Sequence, residues 1–130
     1  MQVNIPEVLA EVEAAFARYE AALVSNDLQG LDDSFWDDPR TIRYGVGEIL
    51  HGMEEIRAFR TARLSTGLIR AIERTVITTF GHDFATASTL FRRQAMVGKI
   101  GRQMQSWVRM PEGWRVVAAT VSVIPEPGVA

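Results

Sequence analysis

The residues best suited to chemistry in this sequence are an arginine on a short predicted strand and a tyrosine on the first predicted helix. Arg43 lies in the segment 41–44, and Tyr19 lies on the apolar stripe of the helix. A guanidinium cannot act as a base at neutral pH, but its planar donors bind carboxylates well. A tyrosine hydroxyl can donate to a developing oxyanion or relay a proton. This pair suits a substrate that is already negatively charged, and it argues against isomerisation by a proton-shuttling base.

Both residues also have an ordinary structural interpretation. Strand alternation places Ile42 and Arg43 on opposite faces, without deciding which of them faces the interior. Arg43 could form an ion pair with Glu48 or Glu73, because burial of an unpaired guanidinium is costly. Tyr19 could be a core residue whose hydroxyl bonds a backbone carbonyl.

A second group of residues consists of candidates for substrate binding. Gln103, Gln105 and Trp107 share one face of a predicted strand, which suits either a pocket or a dimer interface. On the third predicted helix, arginines recur every three residues from Arg57 to Arg63. The candidates for substrate binding are Trp36, Arg60, Gln105 and Trp107.

Metal and thiol chemistry find little support in the composition. The chain has no cysteine, and its two histidines, His51 and His82, lie in predicted turns without the spacing of metal ligands. No Ser-His-Asp arrangement, glycine-rich phosphate loop or HExxH motif occurs. We therefore expect no cofactor and no metal ion.

Length and charge are those of one small domain. The chain has 130 residues, a formal net charge of −2 and an isoelectric point near 5.7, so no basic excess favours nucleic-acid binding. We expect a single domain over residues 1–124 and a flexible tail over 125–130. Neither a signal peptide nor an apolar stretch of about 20 residues is visible, so we expect a cytoplasmic protein without membrane contact.

The pattern of apolar residues predicts helices first and long strands afterwards. Helical spacing extends from Pro6 to Ser25, and a short second helix carries Leu28, Leu31 and Phe35. A short strand is predicted over 41–44, with residues 48–50 paired against it. A third helix follows over 52–65. Four long strands are predicted over 69–80, 84–95, 100–110 and 114–124.

Several local details follow from the same pattern. Asn4 and Glu7 have the spacing of a capping box at the start of the first helix, and Asn26-Asp27 can cap the second helix. Alternation along the last strand places Val117, Val121 and Val123 on the outer face of the sheet, where they would serve a dimer or another partner.

Segregated helices and strands predict an α+β domain with three N-terminal helices packed in a strongly curved antiparallel sheet. Long, twisted strands curl around the helices, which gives a cone with an open mouth. The interior of such a cone is a natural site for a small molecule.

This order of elements resembles the NTF2-like fold, also called SnoaL-like or cystatin-like. The resemblance is closest to the AtzH-like family, also known as the oxalurate catabolism protein HpxZ family. The segments that carry this resemblance span 35–45, 56–60, 79–91, 98–107 and 111–119.

The resemblance implies a cofactor-free decarboxylating amidohydrolase of bacterial nitrogen catabolism, which converts 1,3-dicarboxyurea to allophanate. It implies Tyr19 and Arg43 as the catalytic pair, and it leads us to expect a histidine near the end of the last strand, where this chain has Thr120. A homodimer is expected by analogy with other cone folds. Two non-catalytic alternatives stay open, namely an accessory subunit of an amidase-signature enzyme and a binder of a small anionic metabolite.

Overall fold

The helices lie in the first half of the chain together with two short strands, and long strands make up the second half. A computed structural model describes residues 1–128. It contains three helices and six strands, which confirms the predicted α+β class. The elements are α1 (Pro6–Val24), α2 (Leu28–Ser34), β1 (Ile42–Tyr44), β2 (Ile49–His51), α3 (Met53–Ala62), β3 (Ala71–Phe80), β4 (Phe84–Arg92), β5 (Lys99–Met110) and β6 (Gly113–Pro125).

All strands belong to one curved sheet that does not close. The strand order is β2-β1-β6-β5-β4-β3, and the last four strands form an antiparallel meander. Strand β1 pairs antiparallel with β2 but parallel with β6, so that Arg43 lies opposite Ala119. The first strand is therefore held in place by the last.

Helix α1 packs its apolar stripe against the concave face of this sheet. Fully buried aromatic side chains, among them Trp107 and Phe35, fill the space between the helices and the sheet. The stripe recurs every three or four residues because that spacing keeps side chains on one face of a helix. Its buried members are Val8, Val12, Ala15, Phe16, Tyr19, Ala22 and Leu23.

A β-bulge between β5 and β6 changes which residues of β6 face inward. Ser106 pairs with Ala118, whereas its neighbour Trp107 pairs with Val116, so one residue of β6 has no partner at this point. Beyond the bulge the alternation is reversed, and Val121 faces the interior. Val123 shares this face, because it pairs with Gly101, whose Cβ position points at the ring of Phe91. The prediction of Val121 and Val123 on the outer face is therefore wrong.

The start of α1 differs from the predicted capping box. The N-cap residue is Ile5, and no side chain caps the helix. Asn4 instead adopts a left-handed conformation, and its Oδ1 accepts a hydrogen bond of 2.8 Å from the backbone N–H of Thr79. The N-terminal segment is thus attached to β3. The predicted cap of α2 is confirmed, since Asp27 accepts from the N–H of Gly30 at 3.0 Å.

The C-terminal end of the domain extends slightly past its predicted limit. Strand β6 ends at Pro125, and the carboxylate of Glu126 contacts Arg92 at 2.6 Å. Residues 129–130 of the predicted tail lie outside the described residues. No helix within residues 1–128 has the length and apolar character needed to cross a membrane.

Candidate functional site

Tyr19 and Arg43 meet in a cavity on the concave side of the sheet. Its volume is about 200 Å³, and its walls come from α1, the end of α3, the β1–β2 turn and strands β4 to β6. Ligand pockets for drug-sized molecules span roughly 300–1,000 Å³, so this cavity fits a smaller molecule. The lining residues are Tyr19, Leu23, Arg43, Val46, Glu48, Phe59, Arg63, Gly67, Leu68, Arg70, Phe91, Arg93, Gln103 and Val121.

The tyrosine combines a buried ring with an uncommitted hydroxyl. The ring packs edge-on against Phe16, with ring centroids 6.4 Å apart, and against Phe35 at 6.1 Å. Tyr19 lines the cavity, and within residues 1–128 no protein group hydrogen-bonds its hydroxyl. The hydroxyl is therefore available to a ligand, and no backbone carbonyl occupies it.

Arg43 points into the cavity and at the same time has a protein partner. Its Nη1 donates to Oε1 of Glu48 at 2.7 Å, so the ion pair considered from the sequence is present. The guanidinium carbon lies 5.6 Å from the centre of the Phe59 ring. Glu48 reaches Arg43 because residue 45 is glycine, since a Cβ on Gly45 would occupy the place of the Glu48 carboxylate.

A second ion pair involves another arginine of the cavity lining. Arg70 donates from Nε and Nη2 to the two carboxylate oxygens of Glu20, at 3.0 and 2.6 Å. Its Nη2 also donates to Oε1 of Gln103 at 3.0 Å. The guanidinium carbon lies 4.6 Å from the centre of the Phe91 ring. The Arg70 side chain is therefore held in place by Glu20, Gln103 and the Phe91 ring.

Two further arginines line the cavity with donors that have no partner. Nε and Nη2 of Arg63 and Nε of Arg93 are buried without a hydrogen-bond partner among the described residues. Burial lowers the pKa of Arg63, and the nearby charge of Arg43 lowers it further. Burial likewise lowers the pKa of Arg93, with a further contribution from the charge of Arg70. Both cations are thus held in an environment that disfavours them.

The cavity consequently carries a surplus of positive charge. Four arginines line it, and within residues 1–128 only Arg43 and Arg70 have a carboxylate partner, in Glu48 and Glu20 respectively. An unpaired buried charge is costly. An anion that bonds the free donors would remove this cost, so the site is built to receive negative charge.

Arg60, a predicted binding residue, lies outside this lining. Its guanidinium is buried over the ring of Phe35, 4.3 Å from the ring centre, and its Nη1 lies 3.5 Å from Oδ1 of Asp32. Burial lowers the pKa of Arg60 to about 10, so the residue remains charged at neutral pH. The structure gives it a contact between α3 and α2.

The other predicted binding residues also lie away from the cavity lining. Trp36 is partly exposed, and the guanidinium of Arg40 lies 4.9 Å above its ring. Trp107 is fully buried and donates from Nε1 to Oε1 of Gln105 at 3.0 Å. Gln105 has a buried Nε2 without a described partner, but it is their strand neighbour Gln103 that lines the cavity.

Sequence reasoning did not single out Arg63, Arg70 and Arg93 as site residues. Arg63 belongs to the arginine row of α3, but α3 ends at Ala62 and the extended backbone of Arg63 turns this side chain toward the cavity. Arg70 and Arg93 directly flank strands β3 and β4. An arginine next to the end of a strand whose concave face is buried is a signal that could have identified both.

Other depressions of the surface carry weaker signals. The groove between α1, α2 and the β5–β6 turn has a volume of about 580 Å³ and is lined by both signs of charge, including Arg18, Asp33 and Glu112. No group of three His, Cys, Asp or Glu side chains in residues 1–128 is arranged to hold a metal ion. The arginine-lined cavity remains the better candidate, because it combines buried, unpartnered donors with the Tyr19 hydroxyl.

Comparisons with known proteins identify the family of this chain. The sequence matches the AtzH-like family over residues 1–127. The chain belongs to the AtzH-like family. A search of curated proteins finds no match.

Two solved structures are similar to this AtzH-like chain over nearly their whole length. One is a protein of unknown function from the DUF3225 family of Pectobacterium atrosepticum, with 63% identity, 94% of both chains covered and a TM-score of 0.92. The other is a cystatin-like fold protein from Burkholderia xenovorans, with 50% identity, 98% of this chain and 99% of that chain covered, and a TM-score of 0.93. An NTF2-like protein of unknown function from Pseudomonas putida shares the fold at 17% identity, with 89% of this chain and 86% of that chain covered and a TM-score of 0.75.

The position at which the AtzH-like resemblance led us to expect a histidine lies outside the cavity. Thr120 is exposed and pairs with Met104, a half-exposed residue on the convex face of the sheet. It is not among the residues that line the cavity. The threonine at this position therefore leaves the lining of the site unchanged.

Proposed function

We propose that this AtzH-like protein is a cofactor-free enzyme that decarboxylates a small carboxylated urea, such as 1,3-dicarboxyurea, to allophanate. One observation supports this above the others. A cavity of about 200 Å³ carries two arginines without carboxylate partners beside the uncommitted hydroxyl of Tyr19. Dicarboxyurea is small and doubly negative, so its size and charge both fit.

This decarboxylation requires a general acid rather than a general base. The bond between a urea nitrogen and its carboxylate carbon breaks, CO2 leaves, and the bonding electrons remain on the nitrogen. A proton from the Tyr19 hydroxyl neutralises that nitrogen, and water returns a proton to the tyrosine. Hydration of the released CO2 gives bicarbonate, which makes the overall reaction hydrolytic.

The surroundings of the cavity fit this requirement. The carboxylates of Glu48 and Glu20 are held in ion pairs with Arg43 and Arg70, so neither is free to act as a base. Arg43 holds the substrate and polarises it from the β1 wall. Fixed cations stabilise the charge that develops on the substrate more effectively in a buried site than in water.

The test compares purified variants on dicarboxyurea generated in situ, with allophanate measured by mass spectrometry against spontaneous decay. Tyr19→Phe and Arg43→Lys should each lower turnover by about 100-fold or more, the usual effect of losing a positioned acid or oxyanion donor. Tyr44→Phe is the matched control, because Tyr44 lies on the same strand as Arg43 but is exposed and bonds His51 at 3.1 Å. Full activity of both site variants with an intact fold would contradict the proposal.

A non-catalytic role is the alternative. Because no carboxylate in the cavity is free to act as a base, the same cavity would serve a protein that only binds a small anionic metabolite, or an accessory subunit of an amidase-signature enzyme. Absence of allophanate formation, together with co-purification of an amidase, would favour the accessory role. Sedimentation of the purified protein would test the expected homodimer.

A further inference from the structure

We propose that Arg63 and Arg93 each receive one carboxylate of the ligand, which makes the cavity selective for molecules with two acidic groups over molecules of equal size with one. The choice of ligand class rests on the proposed function. The selectivity itself is a property of binding, and it is measurable without any turnover.

The lining of the cavity carries two positive charges that no protein carboxylate in residues 1–128 balances. Arg43 is paired with Glu48 at 2.7 Å, and Arg70 is paired with Glu20 at 2.6 Å. Arg63 and Arg93 line the same cavity with donors that have no protein partner. Two unbalanced positive charges match a ligand that carries two carboxylates.

The free donors identify which arginines bind directly. Arg63 offers Nε and Nη2, and Arg93 offers Nε, all buried and without a protein partner in residues 1–128. A buried donor left unsatisfied loses the hydrogen bonds that water would give it, and the cost is larger when the donor is charged. A carboxylate oxygen would satisfy these donors through charge-assisted hydrogen bonds, which are the stronger kind.

The paired arginines are held in place by their protein partners. Arg70 uses Nε and Nη2 for Glu20 and Gln103, and its side chain is only 2% exposed. Arg43 spends Nη1 on Glu48. Arg70 and Arg93 also share the Phe91 ring, whose centre lies 4.6 and 4.9 Å from their guanidinium carbons. Because Arg70 is immobilised, the ring and Arg93 are held in a defined position.

The cavity also suits a short, uncharged spacer between the carboxylates. Its lining includes the apolar side chains of Leu23, Leu68 and Val121. A dicarboxyurea has three backbone atoms between its carboxyl carbons, and so does glutarate, which lacks the scissile carbon–nitrogen bond. Glutaramate has the same backbone with one carboxylate replaced by an amide. The two compounds thus differ in charge but hardly in size.

The experiment measures the affinity of the protein for glutarate and for glutaramate by isothermal titration calorimetry at low ionic strength. Wild type should bind glutarate about tenfold or more tightly than glutaramate, which corresponds to one charge-assisted contact of about 1.4 kcal/mol. Arg63→Gln and Arg93→Gln should each reduce this ratio to about threefold or less, and the double variant should lose glutarate binding. Arg40→Gln is the control, since Arg40 is 77% exposed and pairs with Asp38 away from the cavity.

Two results would overturn the inference. One is equal affinity of wild type for the two compounds, and the other is an unchanged ratio in both glutamine variants. If a glutamine variant does not fold, Arg63→Lys and Arg93→Lys keep the charge, and they should retain selectivity with reduced affinity.

The outcome is separable from that of the proposed function. Glutarate cannot be decarboxylated by this route, so selective binding without dicarboxyurea turnover would reject the enzymatic function and keep the two-carboxylate site. Turnover without glutarate selectivity would reject the two-carboxylate site and keep the enzymatic function.

Discussion

Arg70 and Glu20 form a bidentate ion pair that joins α1 to the start of β3, fifty residues later in the chain. The Arg70 side chain is 2% exposed and that of Glu20 is 17% exposed. A pair so shielded from solvent leaves an uncompensated buried charge when one member is removed. The pair therefore serves both the stability of the domain and the placement of the arginines around the cavity.

We predict that Glu20→Gln lowers the free energy of unfolding by about 3 kcal/mol, because Arg70 would stay buried without its counter-charge. Urea denaturation measures the change. Asp38→Asn provides the comparison, since it breaks the bidentate pair with Arg40, which is exposed. Exposed pairs contribute little, so this variant should unfold at the same urea concentration as wild type. Equal losses in the two variants would contradict the importance of burial.

We predict that Glu48→Gln makes the protein bind glutarate several-fold more tightly. The variant removes the carboxylate that competes with the ligand for Arg43 and adds a positive charge to the cavity. The gain should shrink as salt is added, because part of it is electrostatic attraction. Calorimetric titration at two salt concentrations measures both effects. Weaker binding would mean that Glu48 is needed to hold Arg43 in place.

Gly101 provides a steric test of the cavity wall. A Cβ at this position would overlap the ring of Phe91, a fully buried side chain beside Arg70 and Arg93. We expect Gly101→Ala to lower the free energy of unfolding by about 1–3 kcal/mol through overpacking. The substitution should also weaken glutarate binding, because the guanidinium of Arg93 packs against this ring.

The matched control for this substitution is Gly47→Ala. A Cβ at Gly47 would meet no atom within 4 Å, so this variant should keep wild-type stability. Thermal unfolding followed by circular dichroism compares the two alanine variants. An unchanged melting temperature for Gly101→Ala would show that the Phe91 ring moves freely, against its role as a fixed platform.

The pair between Arg60 and Asp32 should respond differently to the loss of each partner. We predict that Asp32→Asn lowers the free energy of unfolding by about 2 kcal/mol, since the buried Arg60 cation would lose its carboxylate at 3.5 Å. Arg60→Met should cost much less, because an apolar side chain of similar length avoids the burial of charge. Chemical denaturation of both variants tests the asymmetry, and the opposite order would refute it.

The helices and strands were largely accessible from the sequence because they depend on local patterns. Helical spacing identified α1 and placed Tyr19 on its buried stripe, as the structure confirms. Alternation along β1 could not decide the direction of Arg43. That direction depends on the pairing of β1 with β6, which brings Arg43 beside Ala119 on the concave face.

The remainder of the site depends on contacts between distant parts of the chain. Nothing in the local sequence of Arg70 specifies Glu20 as its partner. The bulge opposite Ser106 reverses the alternation of β6, so a regular two-residue period cannot predict which side chains face inward. The end of α3 at Ala62, three residues before the predicted end, decides where the Arg63 side chain lies. These features become visible only when the sheet is assembled.

The parallel pairing of β1 with β6 also determines when the cavity forms during folding. Arg43 lies near the start of the chain, but its strand has no parallel neighbour until residues 118–120 are in place. Contacts between distant segments form late in folding because closing long loops costs entropy. A nascent or partly unfolded chain therefore cannot trap the ligand, and loss of ligand binding should coincide with the global unfolding transition rather than precede it.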